Sequence, residues 1–263
     1  MATVTVSNFA EFLSAIAVSG DTVVCPEGVV WDMNDLYPEG YFNNIPINCA
    51  VINGRGTTIR NLHLFGKFVA PANLEINDLN ITNIICEETE FFGSSGNART
   101  LTLNGCVVTG IYGVNTMYFN YGTLALNRSV LNLDLTAGGY SDIEISSYGQ
   151  YSAQYSRISA QFPQNVGGGF SFGTNARFCM FRIYYPGCRA FSSSGLSGCV
   201  VTGNFGEAYD SNSYGTHGAF VSVYDVAAMD EEFETNNPYF KGVTYEQLYN
   251  AAYLASIGFP IGA

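Results

Sequence analysis

The stretch LEINDLNITNI, residues 74–84, decides the fold. Its apolar residues stand at the first, third, sixth and eighth positions: Leu74, Ile76, Leu79 and Ile81. Because side chains alternate between the two faces of a strand, this spacing predicts two short strands that meet at a polar Asn-Asp corner. A single unit of this kind is weak evidence, and its weight comes from repetition.

The same frame recurs along the chain. The clearest copies have their four frame positions at Thr57, Ile59, Leu62 and Leu64, at Leu101, Leu103, Cys106 and Val108, and at Leu124, Leu126, Ser129 and Leu131. Weaker copies lie at Tyr151–Ile158, Ala176–Ile183 and Ser194–Val201, and successive starts are 17, 27, 23, 27, 25 and 18 residues apart. Strand-like units at this period predict a solenoid, because each unit buries its apolar face only by stacking on its neighbours. The linkers are rich in Gly, Ser and Asn without helical periodicity, which favours an all-β parallel β-helix over a leucine-rich repeat.

Asparagine recurs at the polar corner. Asn77, Asn104 and Asn127 occupy the same position of three successive units, followed by Gln154 and Ser197. In rungs about 4.8 Å apart, equivalent amides are placed to hydrogen-bond as a structural ladder. Asn also tolerates the left-handed backbone of tight corners. The alternative is that Asn is simply common in turns.

Composition sets limits on the function. The chain has 263 residues, of which 47% are hydrophobic and 12% charged, enough for the core of one all-β domain. Its net charge is −12 and its only lysines are Lys67 and Lys241, which argues against nucleic acid and anionic membranes as partners. No apolar run approaches 18 residues, and the N-terminus lacks the features of a signal peptide.

The cysteines indicate a reducing site of synthesis. There are seven, an odd number without a C-x-x-C pair, so neither a disulfide framework nor a zinc site is expected. Cys106 and Cys199 fall at the inward sixth position of the frame, where a thiol acts as a small hydrophobe. We expect no metal and no cofactor.

The chain divides into three parts: residues 1–50 as an N-terminal cap and first irregular rung, 51–222 as the parallel β-helix, and 223–263 as a C-terminal cap or docking extension. Within the first part, Asn8 and Glu11 form a capping-box pattern after a strand-like Thr3–Val6 segment. The helix that follows has an apolar face and is expected to end at Gly20. That face comprises Phe9, Phe12, Leu13 and Ile16.

The third part begins with an acidic cluster, and Thr244 with Gln247 then predicts a capped helix that carries Leu248, Ala252 and Leu254 and ends at Gly258. This part is either a plain cap or an oligomerisation module. For the module, the candidate contacts are Tyr239, Phe240, Tyr245, Tyr249, Tyr253 and Phe259.

Catalytic chemistry has little support. Between Phe91 and Gly206 the only acidic residues are Asp134, Asp142 and Glu144. Asp142 and Glu144 would share one face of a strand about 7 Å apart, a spacing compatible with a glycosidase pair, although solvated acids on a strand are commonplace. They are weak catalytic candidates.

Basic and aromatic residues are the other candidates for binding. Arg157, Arg177, Arg182 and Arg189 lie in a stretch without carboxylates and suit an acidic sugar or partner, or are simply solvated. His63 and His217 lie too far apart in the repeat order to favour a triad or a metal site. Tyrosines cluster with Gly and Ser at Tyr140, Tyr148, Tyr151 and Tyr155, where they suit sugar stacking, an interface or the interior.

Four segments together carry a family resemblance: VTVSNFAEFLSAIAVSGDTVVCPEG (4–28), INGRGTTIRNL (52–62), LEINDLNITN (74–83) and TYEQLYNAAYLASIGFPIG (244–262). They resemble the pectate-lyase-like right-handed parallel β-helix proteins of bacteriophage virions and bacterial surface adhesins. The resemblance implies a single-stranded right-handed β-helix with an N-terminal capping helix and a short helical C-terminal extension. The acidic calcium clusters and basic residue of pectate lyases find no matching positions.

The function expected from these observations is that of a non-enzymatic structural or attachment protein of a phage particle. It would serve as a capsid decoration, head-fibre or tail-associated subunit, located in the virion. Its partners would be other virion proteins or itself, and the resemblance adds a homotrimer. The alternative is a carbohydrate-active enzyme, either a glycoside hydrolase or a polysaccharide lyase, or a glycan-binding module. That alternative would act at the cell surface or after secretion, with a host-surface glycan as partner.

Overall fold

Short strands from successive rungs pair in parallel, which confirms the predicted all-β parallel β-helix. The computed structural model describes residues 2–18, 20–38, 40–70, 73–86, 91–93, 100–112, 119–120, 123–134, 143–144, 150–161, 170–171, 174–189, 194–207, 218–222 and 240–257. Each rung contributes one strand to each of the long sheets, so the sheets run along the axis of the solenoid.

Sheet 1 is entirely parallel. Its strands are Thr3–Thr5, Thr22–Val24, Val51–Asn53, Leu74–Asn77, Thr100–Asn104, Thr123–Asn127, Gln150–Gln154, Thr174–Arg177 and Ser194–Ser197. The N-terminal segment thus already contributes strands to the stack, within the span predicted as a cap and an irregular rung.

Sheet 2 is parallel over most of its length. Its parallel strands are Val30–Asp32, Thr58–Arg60, Asn80–Cys86, Val107–Tyr112, Val130–Asp134, Arg157–Gln161, Met180–Arg189 and Val200–Glu207, with His63–Leu64 also paired to Asn80–Cys86. Gly218–Ser222 and Phe240–Gly242 then add two antiparallel strands. The parallel order therefore ends at Glu207, inside the span predicted as parallel β-helix.

Two smaller parallel sets complete the rungs. Sheet 3 contains Ile45–Pro46, Phe68–Val69, Phe92–Gly93 and Phe119–Asn120, and a separate pair joins Ile143–Glu144 to Phe170–Ser171.

Inward positions stack into buried columns because the strands pair in exact register. In sheet 1 the column contains Val23, Ile52, Ile76, Leu103, Leu126, Ala153 and Ala176. In sheet 2 it contains Trp31, Ile59, Ile81, Val108, Leu131, Ile158 and Phe181. These columns form one continuous hydrophobic core that also includes Phe68, Phe91 and Phe92 from the third side of the rungs.

The register corrects two copies of the repeat. Ile52 pairs with Ile76 and Ile59 with Ile81, so the unit predicted to start at Thr57 begins one strand earlier. The Gly54–Thr57 corner carries two more residues than the Asp78-Leu79 corner, and a frame of fixed length does not accommodate this difference. Ala176 pairs with Ala153 at the third frame position, so its unit starts at Thr174.

The tight corner has a left-handed residue in every regular rung, but it is not the asparagine. Asn77, Asn104 and Asn127 end extended strands of sheet 1, and the next residue has positive φ. The column of left-handed residues comprises Asp78, Gly105, Arg128, Tyr155, Phe178 and Gly198. The expectation that Asn supplies the left-handed backbone at this corner is wrong.

The N-terminal helix, Phe9–Ile16, covers the first rungs. Oδ1 of Asn8 accepts from the backbone N–H of Glu11 at 2.9 Å, which confirms the predicted N-cap. The Glu11 carboxylate accepts from the N–H of Ser7, not from that of Asn8, and these bonds lower its pKa. The helix ends at Ile16, before Gly20, and buries Phe9, Phe12, Ala15 and Ile16. Phe12 packs on Trp31 with ring centroids 5.3 Å apart.

The C-terminal helix is interrupted. Tyr245–Leu248 begins with the predicted capping box between Thr244 and Gln247, but a second helix, Ala251–Ser256, starts after a break. Oδ1 of Asn250 caps this second helix by accepting from the N–H of Tyr253 at 3.0 Å. One uninterrupted helix was therefore the wrong prediction. A further short helix, Met33–Leu36, lies after the first strand of sheet 2.

Candidate functional site

The outward corner position carries a ladder of side-chain amides. Nδ2 of Asn127 donates to Oδ1 of Asn104 at 2.8 Å, and Nδ2 of Asn104 donates to Oδ1 of Asn77 at 2.8 Å. Asn77 in turn donates to Oδ1 of Asn53 at 3.0 Å. Asn53 is a fourth member, hidden from the sequence because the first repeat was misaligned. The ladder supports the stack and has no catalytic geometry.

A second ladder lies on the inner side of the same corner. The backbone N–H of Cys106 donates to Oγ of Ser129, and the N–H of Ser129 donates to Oγ of Ser156, each at 3.1 Å. Oγ of Ser129 donates to the carbonyl of Leu103 at 3.0 Å. Hydroxyls therefore occupy an apolar frame position because they satisfy backbone groups of the turn.

Six cysteines have described side chains, and each is a buried thiol outside any disulfide: Cys25, Cys49, Cys86, Cys106, Cys179 and Cys199. Burial raises the pKa of Cys25 and Cys49 to about 12 and that of Cys106 to about 11. A hydrogen bond with Cys199 lowers the pKa of Cys179. Raised values keep a thiol protonated and unreactive near neutral pH, so Cys25, Cys49 and Cys106 are core residues.

The left-handed corner column forms one candidate contact surface, here called the corner surface: Arg128, Tyr155 and Phe178. These residues follow one another in successive rungs, and the Tyr155 and Phe178 rings stack at 5.3 Å with an interplanar angle of 21°. Arg128 is exposed and Tyr155 is 45% exposed. Arg157 and Met180, which pair on the adjoining strands, are also exposed. Sequence reasoning named Tyr155 and Arg157 but not their shared corner.

The second candidate surface is a cleft of about 460 Å³ beside the N-terminal cap, here called the cap cleft. Its lining includes Asn34, Tyr37, Tyr41, Asn61, His63 and Asn83. Two aromatic rings and three amides thus converge there, and Tyr41 is 58% exposed. No local sequence pattern predicts this cleft, because its walls come from separate rungs and from the loop before Phe42.

The cap cleft is connected to the ion pair between Asp32 and Arg60. Asp32 accepts from Nδ2 of Asn61 at 2.7 Å and from Nε of Arg60 at 2.6 Å. These hydrogen bonds lower the pKa of Asp32, and the bond from Asn61 has the largest effect. Nδ2 of Asn83 donates to Oδ1 of Asn61, so carboxylate and amides form a chain that ends in the cleft.

Most of the predicted site residues fall on parts of the chain that are not described. Asp142, Tyr239 and Phe259 lie outside the described residues, and so do the side chains of Glu144, Phe240 and Tyr245. Tyr249 is 74% exposed, as a contact residue requires. Tyr253 instead packs partly against Val200, Leu248 and Leu254.

The predicted basic set does not form one row. Arg157, Arg177 and Arg182 are all exposed, but they lie at different frame positions, and the side chain of Arg189 is not described. Among the described residues, the two ion pairs involve other arginines, Arg55 with Glu27 and Arg60 with Asp32.

Searches for metal clusters and membrane spans cover the described ranges only. No three His, Cys, Asp or Glu side chains converge within them as metal ligands. In the same ranges no helix has the length and apolar character needed to cross a bilayer.

Comparisons with protein-family models, with curated proteins and with solved structures found no significant match for this chain. The β-solenoid is shown by the strand pairing, and the resemblance to phage and adhesin proteins stays a prediction.

Proposed function

We propose that the protein is a non-enzymatic structural or attachment subunit of a bacteriophage particle and acts through surface contacts. The candidate positions in such a particle are a capsid decoration, a head fibre or a tail-associated subunit, with other virion proteins or further copies of this chain as partners.

The observation that carries the proposal is the continuous stack of sheets 1 and 2 with its side chains joined from rung to rung. Successive rungs are held by parallel backbone pairing. The outer amide ladder adds bonds from Asn53 to Asn127, and the inner hydroxyl ladder adds bonds from Cys106 to Ser156. Such a stack presents outward residues at a fixed spacing on a rigid surface. Exposed aromatic and basic groups at the corner surface suit contact with a partner.

Strain at the corner surface supports a contact role. Tyr155 and Phe178 hold φ angles of 49° and 53°, a region that bulky residues seldom occupy. The corner itself requires a left-handed backbone, which glycine adopts without strain at Gly105 and Gly198. A bulky side chain at this position is unfavourable, and such outliers concentrate at functional sites. We therefore propose Arg128, Tyr155 and Phe178 as the main partner contacts, in preference to the C-terminal aromatic residues.

A pull-down on the full chain tests the proposal. The protein is immobilised and incubated with disrupted particles of the phage whose genome encodes it. Capture of a capsid or tail protein is expected, and Tyr155→Ala together with Arg128→Ala should weaken it, whereas Asn132→Ala, an exposed residue of another frame position, should not. If the wild type depolymerises a bacterial polysaccharide and Asp142→Asn or Glu144→Gln abolishes this activity, the proposal is contradicted and the enzyme alternative is favoured.

A further inference from the structure

The walls of the cap cleft are held in place by backbone bonds and aromatic packing. The N–H of Phe42 donates to the carbonyl of His63 at 2.9 Å, and the N–H of Phe65 donates to the carbonyl of Phe42 at 2.7 Å. The Phe42 ring contacts those of Tyr37 and Phe9, with centroids 5.1 and 5.9 Å apart. The segment that carries Tyr41 is thus tied both to the solenoid and to the cap, and the cleft is preformed.

The amides in the cleft have a defined direction. A carboxylate only accepts hydrogen bonds, so Asn61 must turn its NH₂ group towards Asp32. Its carbonyl oxygen then faces Asn83, which donates to it. The carbonyl of Asn83 is left at the open end of the chain, with a second N–H beside it. Cooperative polarisation along such a chain strengthens the terminal acceptor.

The chain of amides stops at Asn83 for a structural reason. Asn61 and Asn83 are left-handed corner residues of successive rungs, with φ of 58° and 52°. The equivalent residue of the next rung is Gly110, between the paired Thr109 and Ile111, and it also has positive φ. Glycine has no side chain to continue the ladder. The Asn83 amide is therefore exposed, with polar groups that a ligand is able to satisfy.

An aromatic platform lies beside the amides. The Tyr41 ring is tilted against Phe65 at 5.4 Å and against His63 at 6.1 Å, and Tyr41 and Phe65 are both about half exposed. A flat apolar face with hydrogen-bonding groups at its edge is the chemistry that binds a sugar ring, whose C–H face stacks while its hydroxyls bond.

Charge decides which sugar. Among the residues that the structure describes, the cleft lining contains neither a carboxylate nor a Lys or Arg side chain, and Asp32 behind it is paired with Arg60. We propose that the cap cleft binds an uncharged sugar unit of a glycan, stacked on Tyr41 and hydrogen-bonded to the Asn83 amide. This inference rests on the proposed attachment role and adds a class of ligand to it. Its test needs no virion partner, so the sugar site and the phage role can be contradicted independently.

The test uses the full chain and neutral oligosaccharides of glucose, galactose, mannose and N-acetylglucosamine, with oligogalacturonate as the acidic probe. Binding is measured by saturation-transfer NMR and by titration up to about 10 mM, which covers millimolar dissociation constants. At least one neutral probe is expected to bind more tightly than oligogalacturonate. Tyr41→Ala should lower the affinity for this neutral probe about tenfold, which corresponds to the loss of one good contact. Tyr41→Phe should keep most of the affinity.

Two variants separate ligand contact from folding. Asn83→Gly removes the amide but keeps the left-handed backbone, and should also lower affinity about tenfold. Asn132→Ala, at an exposed strand position outside the cleft lining, should leave binding unchanged. The proposal is overturned if no neutral probe binds, if oligogalacturonate binds most tightly, or if binding is the same in Tyr41→Ala and Asn83→Gly as in the wild type.

Discussion

At the scale of one residue, Arg128 combines an exposed side chain with a backbone conformation that is unfavourable for the fold. Its φ of 49° is unfavourable for a side chain with a Cβ, and no ion pair joins it to a described carboxylate. Gly105 and Gly198 hold the equivalent position in other rungs without this strain. A residue kept in a strained conformation that glycine would relieve points to a role outside the fold.

Arg128→Gly is therefore expected to raise the free energy of unfolding by up to about 1 kcal/mol. Glycine removes the strain of a left-handed backbone, about 1–2 kcal/mol for an L-residue, but it loses more conformational entropy on folding, which offsets part of the gain. Denaturant unfolding measures the change. The matched control is Arg157→Gly, at an exposed strand position, which should lower stability by about 1 kcal/mol. A loss of stability in Arg128→Gly equal to that of the control would contradict the strain argument.

Asn104 is the central member of the amide ladder and gives the second prediction. Asn104→Ala leaves Oδ1 of Asn77 and Nδ2 of Asn127 without their partner. The expected loss of unfolding free energy is about 1–3 kcal/mol, the penalty for unsatisfied, partly buried polar groups. Asn132→Ala, at an exposed strand position, should change stability by less than about 0.5 kcal/mol. Equal effects in the two variants would mean that the ladder adds nothing.

The buried thiols make stability depend on pH. The pKa of Cys106 is raised from its ordinary value of 9.0 to about 11, so the unfolded chain loses this proton first as pH rises. The stability that the protonated Cys106 thiol contributes is fully present below pH 9 and is lost between about pH 9 and pH 11. Over this range the free energy of unfolding falls by no more than about 1.4 kcal/mol per pH unit. Guanidinium unfolding from pH 8 to pH 10.5 measures the slope.

Cys106→Ser isolates this thiol, because Ser129 and Ser156 occupy the same position in neighbouring rungs. The variant should show a shallower fall of stability over that pH range than the wild type. Parallel slopes in the two proteins would show that the Cys106 pKa is not raised by folding.

At the scale of an element, the N-terminal helix protects the first rungs. Phe12 is 2% exposed and packs on Trp31, the one tryptophan of the sequence. Phe12→Ala should lower the free energy of unfolding by about 3–5 kcal/mol and shift Trp31 fluorescence to the red as water reaches the ring. Phe65→Ala, at a half-exposed ring, is the control and should leave the Trp31 spectrum unchanged.

The elements also show what sequence reasoning reaches. Alternating apolar positions predicted the stacked columns through Leu103, Leu126 and Ala153, because burial on one strand face leaves a period of two. The rung at Ile52 was misplaced, since two extra corner residues leave no hydrophobic signal. The break between the two C-terminal helices has no hydrophobic signal in the sequence, and the cap at Asn250 shows it only in the structure.

The candidate surfaces were less accessible to prediction than the core. Asn61, Asn83 and Tyr41 meet in the cap cleft although no local pattern links them, since their proximity depends on rung stacking and on the Phe42 bridge. Tyr155 and Phe178 share a column only once the register is known. Sites formed between rungs require the correct length of every intervening loop.

For the whole molecule, the two ends of the stack are treated differently. The helix Phe9–Ile16 covers the first rungs, while antiparallel strands Gly218–Ser222 and Phe240–Gly242 extend sheet 2 beyond the last parallel strand. Unpaired sheet edges invite aggregation. The extension moves this edge of sheet 2 to the three-residue strand Phe240–Gly242, and a short edge strand limits pairing with another chain. The exposed residues of the corner surface and of the cap cleft fit the proposed role of a subunit that acts by contact.

The most direct test of the proposed role in a phage particle is quantitative peptide mass spectrometry on gradient-purified particles from cells that carry the gene of this chain. The protein should be present in a fixed ratio to the major capsid or tail protein, and that ratio should survive repeated purification. Absence from the particles, combined with polysaccharide cleavage by the isolated protein that Glu144→Gln abolishes, would contradict the account.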